Sequence, residues 1–367
     1  QVDDFASGSK KKETSEKFIQ EIRKHVEAEY AGMGLETDSG YYQRYNGIDV
    51  FQAKDFIKVS AESYIDRMLA THGWDAPKHP DKIPEKAIPL NPSVANHLMT
   101  LEGPPEKTAE GRETARGEGF SYRNVLGELI YAYVICRLDI GYAICFLARF
   151  ADSPHAEHYK ALKAVCKYLR ATKDWGIIYK RPEPLVDLPD VEFNFMSIDP
   201  ELPLFPEFEF DQLAGLLDAA HATDLKTRRS VTGYVVFYAK AAIAWKSRIQ
   251  PLVATSSTEA EFYATVTCAK VVKYLRYVLQ ELDALRPGPT KLFIDNQAAL
   301  AMINESRPTS RARHIEIQHY AIQEWRNAGD IVMEHIPGVI NSSDDLTKPL
   351  GWVLHGRHAR RNMGHYK

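Results

Sequence analysis

The sequence predicts an α/β protein whose last globular stretch, residues 213 to 350, folds as a mixed five-stranded sheet with flanking helices. Three observations predict it. The elements of that stretch read as three strands, helix, strand, two helices, strand and helix. The helix from Thr258 to Leu285 carries one apolar face of Phe262, Val266, Ala269, Val272, Leu275, Leu279 and Leu282. Short hydrophobic runs stop at acids, as LFID stops at Asp295, which is how a strand hands over to a helix at a sheet edge.

In chain order, residues Glu13 to Ala31 predict a helix, with Phe18, Ile22 and Val26 four apart. GIDVFQAKDFIK, residues 47 to 58, reads as a hairpin, and Glu62 to Gly73 as an amphipathic helix ended by its glycine. Pro77 to Gly119 is rich in Pro, Lys, Glu and Gly and has little periodicity, so a linker or long loop is expected. Tyr122 to Tyr179 reads as two or three helices that finish in a short strand, GIIY. Within it the apolar run Val125 to Phe150 is broken by Glu128, Arg137 and Asp139 and predicts buried helix. Pro182 to Glu209 is a second Pro- and acid-rich linker. Strands follow at Leu213–Ala219, Ser230–Tyr238 and Ala241–Lys246, then the long helix and a strand at Lys291–Ile294. Helices from Asn296 and near Ile315, a strand at Ile331–Ile336 and a short helix near Ser342 complete the pattern.

Composition bounds the function. The 367 residues are 44% hydrophobic and 26% charged, as in a folded globular chain with room for two or three domains. No apolar run approaches the ~20 residues of a membrane span and no signal peptide opens the sequence. A net charge of −3 argues against indiscriminate nucleic-acid binding but leaves room for a local basic face. Cys136, Cys145, Cys166 and Cys268 have no metal-ligand spacing and predict reduced core residues. The text begins abruptly at Gln1, so a longer reading frame is expected. Gly351 to Lys367 holds Arg357, Arg360, Arg361, Lys367 and three histidines without an acid, and predicts a solvated basic tail able to touch phosphate.

Four acids carry the chemistry. Asp218 ends the first strand in LLDAAHATD, and Glu261 lies in the first turns of the long helix. Asp295 follows LFI, and Asp344 opens the last helix in NSSDDLTK, with Asp345 as its rival. Strand ends and helix starts at one sheet edge can converge. Four carboxylates together raise one another's pKa unless a cation joins them. Hard divalent ions with oxygen ligands, Mg²⁺ or Mn²⁺, resolve that conflict, and two such ions activate water and stabilise the leaving oxygen of a phosphodiester. Glu259, two residues from Glu261, faces the other side of the helix. His155 and His158 share i, i+3 spacing without a third ligand and read as a surface helix face.

These motifs resemble one family. YAYVICRLDIGYAICFLARF resembles the segment that follows the polymerase domain of copia-type (Pseudoviridae) LTR retrotransposon Pol polyproteins. RRSVTGYVV, AIAWKSRIQPLVATSSTEAEFYA, LFIDNQAALAMI, RARHIEIQHYAIQEW and DDLTKPL resemble the ribonuclease H domain that ends them. The matching motifs run in matching order over most of the chain. The resemblance implies a ribonuclease H-like fold preceded by a truncated α+β reverse transcriptase palm and thumb remnant and a helical connection. The implied boundaries are 1–115 for the remnant, 120–181 for the connection, 182–209 for the linker, 210–350 for the ribonuclease H-like domain and 351–367 for the basic tail.

It also implies roles. Asp218, Glu261, Asp295 and Asp344 match the family's four metal-binding carboxylates, and His314 a histidine that aids product release or positions water, or else stabilises the helix start. VDDF resembles the palm turn whose aspartates, here Asp3 and Asp4, hold the metals of a polymerase. The fingers and most of the palm are not in the sequence, so DNA synthesis by this chain is not expected. The implied activity is two-Mg²⁺ hydrolysis of the RNA strand of an RNA/DNA hybrid during reverse transcription. The implied partners are the hybrid and the rest of the polyprotein or a second copy, in the cytoplasm (a virus-like particle) or the nucleus and without a membrane. Arg228, Arg229, Lys246 and Arg248, with Lys167, Lys173 and Lys180, are candidates for phosphate contacts or solvated surface. One departure stands out. Asp218 is followed by Ala219, Ala220 and His221 where the family usually reads Ala, Asp and an aromatic. That change is expected to alter substrate contact or strand packing locally and to spare the four carboxylates. It also keeps open a competing reading, a non-catalytic retroelement relic or co-opted nucleic-acid-binding fragment.

Overall fold

The described strands build two five-stranded sheets. The computed structural model describes residues 35–37, 40–45, 47–76, 87–185, 188, 190–197, 201–203, 205–305 and 313–366, with Lys17 and Gln20. Asp3, Asp4 and most of the helix expected over Glu13–Ala31 lie outside these residues.

The first sheet is antiparallel throughout, in the order β1 (Leu35–Thr37), β2 (Gly40–Tyr45), β3 (Ile48–Gln52), β4 (Phe56–Ser60) and β5 (Gly176–Lys180). The expected hairpin is β3–β4. The GIIY strand is β5, and it pairs with β4 across more than a hundred residues, Ile57 opposite Tyr179. Helix α1 (Glu62–Thr71) buries Ile65, Met68 and Leu69, and Gly73 beyond it takes the left-handed conformation at φ +63° that glycine adopts without strain.

The loop expected over Pro77–Gly119 contains two helices among its described residues, α2 (Pro92–Leu98) and α3 (Ala109–Glu118). Caps, not periodicity, define them. Asn91 accepts a hydrogen bond from the Ser93 amide ahead of Pro92, Thr108 accepts from the Gly111 amide, and Gly119 ends α3 at φ +83°. Helices α4 (Tyr122–Ile135), α5 (Gly141–Leu147) and α6 (Ala156–Ala171) follow. His155 and His158 are not a surface face. The His155 amide donates to His158 Nδ1 at 3.0 Å, and the fully buried His158 ring stacks on Phe150 at 3.8 Å, so the pair closes the start of α6.

The second sheet is mixed: β10 (Ile331–His335), β9 (Thr290–Ile294), β6 (Ala214–Ala220), β7 (Val231–Tyr238) and β8 (Ala241–Ile249), in that order. Strands β6, β7 and β8 form an antiparallel meander. Strand β9 runs parallel to β6, and β10 parallel to β9, the ribonuclease H-like arrangement. Helices α7 (Ser257–Glu281), α8 (Gln297–Asn304) and α9 (Arg313–Asn327) supply the crossings. Helix α7 ends earlier than its apolar face predicts. Asp283 turns the chain at φ +50°, and Leu282 is left 65% exposed.

Both faces of this sheet are covered. Leu213, Leu217 and Ala219 pack toward α7. Ala214 and Leu216 on the alternate positions join the core that holds Leu129, Ile140 and Phe146 of the α4–α5 layer. Tyr179 Oη of β5 donates to the Ala242 carbonyl of β8 at 2.7 Å, tying the two sheets together, and Trp245 Nε1 donates to the Tyr133 carbonyl of α4 at 3.0 Å.

The described residues beyond Gly351 are not a solvated tail. They form α10 (Trp352–Asn362), in which His355, His358, Ala359 and Asn362 are buried. The final stretch also bonds back into the first sheet: Ile178 donates its amide to the Met363 carbonyl at 2.8 Å. The cysteines are unpaired, with Cys136, Cys166 and Cys268 buried and Cys145 half-buried. No described helix is long and apolar enough to cross a membrane.

Candidate active site

Parallel pairing brings the acids together. Leu216 of β6 lies opposite Phe293 of β9, so the two strands leave the sheet at the same edge, delivering Asp218 and Asp295 side by side. Helix α7 starts against that edge, its first turn fixed by the Ser256 hydroxyl, which accepts from the Glu259 amide at 3.1 Å. One turn on, Glu261 Oε1 accepts from the Ala219 amide at 3.1 Å. One carboxylate oxygen each from Asp218, Glu261 and Asp295 lies within 4.8 Å of the others.

Asp344 reaches the group from the opposite layer, on a 3₁₀ turn over Ser342–Leu346 rather than a longer helix. Lys348 joins it to Asp218, with Nζ 2.9 Å from Asp344 Oδ2 and 3.7 Å from Asp218 Oδ2. The Thr347 hydroxyl donates to the same Asp218 oxygen. Asn341 Nδ2 donates to the Leu217 carbonyl at 3.0 Å, and its side chain also bonds Asp295. The turn lies this close because Gly233, opposite Asp218 on β7, has no side chain. A Cβ there would stand 2.5 Å from Thr347 Cγ2 and 3.0 Å from the Ser343 carbonyl oxygen.

The neighbouring acids point elsewhere. Asp345 bonds His355 Nδ1 at 2.5 Å, and His355 Nε2 meets Tyr168 Oη at 3.0 Å. Tyr168 in turn donates to Asp139 at 2.6 Å, and Asp139 pairs with the fully buried Arg137 at 2.6 Å. Burial opposes ionisation of Asp139, but the guanidinium outweighs it and holds the carboxyl below its usual range. Glu259 Oε2 accepts from the Thr255 amide and hydroxyl, both at 2.6 Å, and serves the helix start.

The cluster is short of positive charge. Burial, then Asp218 and Asp295, raise the Glu261 carboxyl far above the ordinary carboxylate range. Burial and Asp218 do the same to Asp344 and, less strongly, to Asp295. Glu261 Oε2 and Asp344 Oδ1 are buried without a hydrogen-bond partner. Desolvated, like-charged oxygens with open lone pairs are the donor set that suits a small hard divalent cation. The chemistry of the residues present therefore fits Mg²⁺ or Mn²⁺.

Of the other expected site residues, His314 lies in the first turn of α9 with its side chain outside the described residues. Arg228 and Arg229 are exposed in the turn before β7, Arg248 is exposed on β8 and Lys246 half-buried beside it. Lys167 is exposed on α6. Lys173 pairs with Asp66 at 3.0 Å, and Lys180 donates to the Tyr366 carbonyl and lies over the Phe195 ring, so neither faces the acids. The DAAH departure leaves the cluster intact: Ala219 contributes its amide to Glu261, and His221 Nε2 meets the Ala254 carbonyl at 3.1 Å. Sequence reasoning missed Gly233, Asn341, Thr347 and Lys348, although the last three lie in the NSSDDLTK run that marked Asp344.

No protein-family model matches the chain. It is 28% identical over 313 residues to the retrovirus-related Pol polyprotein from transposon TNT 1-94 of Nicotiana tabacum, covering 85% of this chain and 21% of that protein. It is 28% identical over 260 residues to the Pol polyprotein from transposon RE1 of Arabidopsis thaliana, covering 71% and 16%. The chain thus spans about a fifth of the polyproteins it matches. A shorter relative, secreted RxLR effector protein 161 of Plasmopara viticola, is 30% identical over 143 residues, 39% of this chain and 82% of that protein. Among solved structures, the LC11 ribonuclease H1 isolated from compost aligns with 37% of this chain and 93% of its own at 14% identity and TM-score 0.29.

Proposed function

We propose, on the premise that the chain belongs to the family of retrovirus-related Pol polyproteins of copia-type transposons, that it hydrolyses the RNA strand of RNA/DNA hybrids. The observation that carries this reading is the convergence of Asp218, Glu261 and Asp295 at one sheet edge, with Asp344 facing Asp218. Bound there, two Mg²⁺ ions would supply the charge that lets a water attack phosphorus and the ribose 3′-oxygen leave. The four carboxylates would hold the ions. Asn341 and Thr347 orient Asp295 and Asp218 through their hydrogen bonds. The neighbouring Lys348 places a positive charge where a phosphate oxygen would approach. The exposed Arg228, Arg229 and Arg248 offer contacts to the hybrid backbone, which is recognised by its shape and 2′-hydroxyls. His314, Asp3 and Asp4 remain candidates for product release and for a vestigial polymerase metal site. The 1–115, 120–181, 182–209, 210–350 and 351–367 segmentation stands as a reading of the parent polyprotein's units.

One observation favours the non-catalytic reading: Lys348 Nζ, 2.9 Å from Asp344 and 3.7 Å from Asp218, supplies positive charge to the cluster from the chain itself. The test is a hybrid labelled on either strand, incubated with the full chain in Mg²⁺, Mn²⁺ or chelator. Metal-dependent cuts in the RNA strand alone are expected. An intact RNA strand with folded protein would move the reading to the relic.

A further inference from the structure

A cavity of about 490 Å³ opens between the end of α6, the described residues Met196, Ser197, Leu202, Pro203 and Phe205, and α10. None of Asp218, Glu261, Asp295 or Asp344 lines it. Its walls are aromatic and cationic. The Arg360 guanidinium lies 4.9 Å from the Trp175 ring, and that of Arg361 lies 4.4 Å from Phe205 and 4.3 Å from Tyr366. Among the described residues no carboxylate lines the cavity, and neither arginine pairs with one; the polar contact of Arg360 is the Met196 sulfur at 2.6 Å. His358 adds an open position. The residue is 1% exposed and its Nε2 has no hydrogen-bond partner. Burial, then the nearby Arg357, hold the imidazole at a pKa of about 3, so it is neutral.

Half-buried guanidiniums that meet no counterion among the described residues are costly, because their desolvation is not offset there. The aromatic rings hold them in place but do not neutralise them. An anion would, and a cavity of this size accommodates a ligand with a planar group as well. Guanidiniums match phosphate oxygens in a two-pronged geometry, and aromatic walls accept a base by stacking. We propose that this cavity is a nucleotide-binding site, in which Arg360 and Arg361 take the phosphate, Trp175 and Phe205 wall the base, and His358 Nε2 completes the polar contacts. The ligand is either a free nucleotide or the phosphorylated end of a strand, which share that chemistry.

The test uses the full chain in chelator, so that the carboxylate cluster has no cation with which to hold a phosphate. dAMP, deoxyadenosine, inorganic phosphate and a 5′-phosphorylated short oligo(dA) are titrated separately by calorimetry. dAMP is expected to bind at least about tenfold more tightly than deoxyadenosine or phosphate. Arg361→Gln and, separately, Arg360→Gln should each weaken dAMP by about tenfold or more. Should Arg361→Gln unfold the chain, by its near-ultraviolet circular dichroism, the Arg360→Gln comparison decides. Oligo(dA) binding as dAMP does assigns the site to a strand end, and its exclusion assigns it to free nucleotide. Failure of dAMP to bind, equal binding of deoxyadenosine, or dAMP affinity unchanged in a folded variant overturns the proposal.

Discussion

At the scale of single residues, two adjacent aspartates have opposite fates. Asp344 faces Asp218 and Lys348, whereas Asp345 is turned into the layer beneath and bonds His355. Asp344→Asn is therefore expected to cut hybrid cleavage by about 10²-fold or more, with a melting temperature at neutral pH no lower than that of the unsubstituted chain. Asp345→Asn should lower the melting temperature, because it leaves a buried His355 poorly matched, and retain most cleavage per folded molecule. Paired assays of kcat and thermal melting check this, and equal loss of cleavage in both variants contradicts it. The raised carboxyls also set a pH dependence. Glu261 and Asp344 bind protons more tightly folded than unfolded, so their share of stability is complete below the unfolded values of 4.5 and 3.8 and declines as pH rises above them. In chelator, the melting temperature should fall from about pH 4 upward, and Glu261→Gln should flatten that slope. A slope that Glu261→Gln leaves unchanged would contradict this assignment.

At the scale of elements, the site depends on how closely a 3₁₀ turn lies on a strand. Gly233 permits that approach, and Gly233→Ala would drive a methyl into Thr347 and the Ser343 carbonyl. A destabilisation of about 1–3 kcal/mol is expected, measured by urea denaturation, with cleavage falling more than stability because Asp344 moves. An unperturbed Gly233→Ala variant would show that the turn has room to shift. Elements were legible in the sequence where period and packing agree: β6, β9 and α7 fall within a residue or a few of their expected bounds because each buries a regular face. Helices α2 and α3 were not legible, because Asn91, Thr108 and Gly119 define them by capping while their sequences bury few residues. The last helix was hidden for another reason. Arg360 and Arg361 lie over Trp175 and Phe205, so a basic run that reads as solvated is partly buried against rings distant in sequence. The spacing to Leu-Thr-Lys favours Asp344 over Asp345, and in the structure Asp345 is turned to His355.

At the scale of the whole molecule, one core crosses the expected domain boundaries. Leu129, Ile140 and Phe146 share it with Leu216, Phe237 and Leu346, and β5 belongs to the sheet begun by β1. The buried chain from Arg137 through Asp139, Tyr168 and His355 ends on Asp345, beside the candidate metal ligand. A fragment of residues 205–367 would expose the face of β6–β8 that α4 and α5 cover, and should aggregate, while the full chain elutes as a defined species. A soluble 205–367 fragment with a cooperative melt would refute this dependence. The most direct test of the central claim is cleavage of an RNA-labelled hybrid by the full chain in Mg²⁺ beside its Asp295→Asn variant. The account predicts cuts in the RNA strand that the substitution abolishes while leaving the fold intact. Cleavage that survives Asp295→Asn, or no cleavage by folded unsubstituted protein, would contradict it.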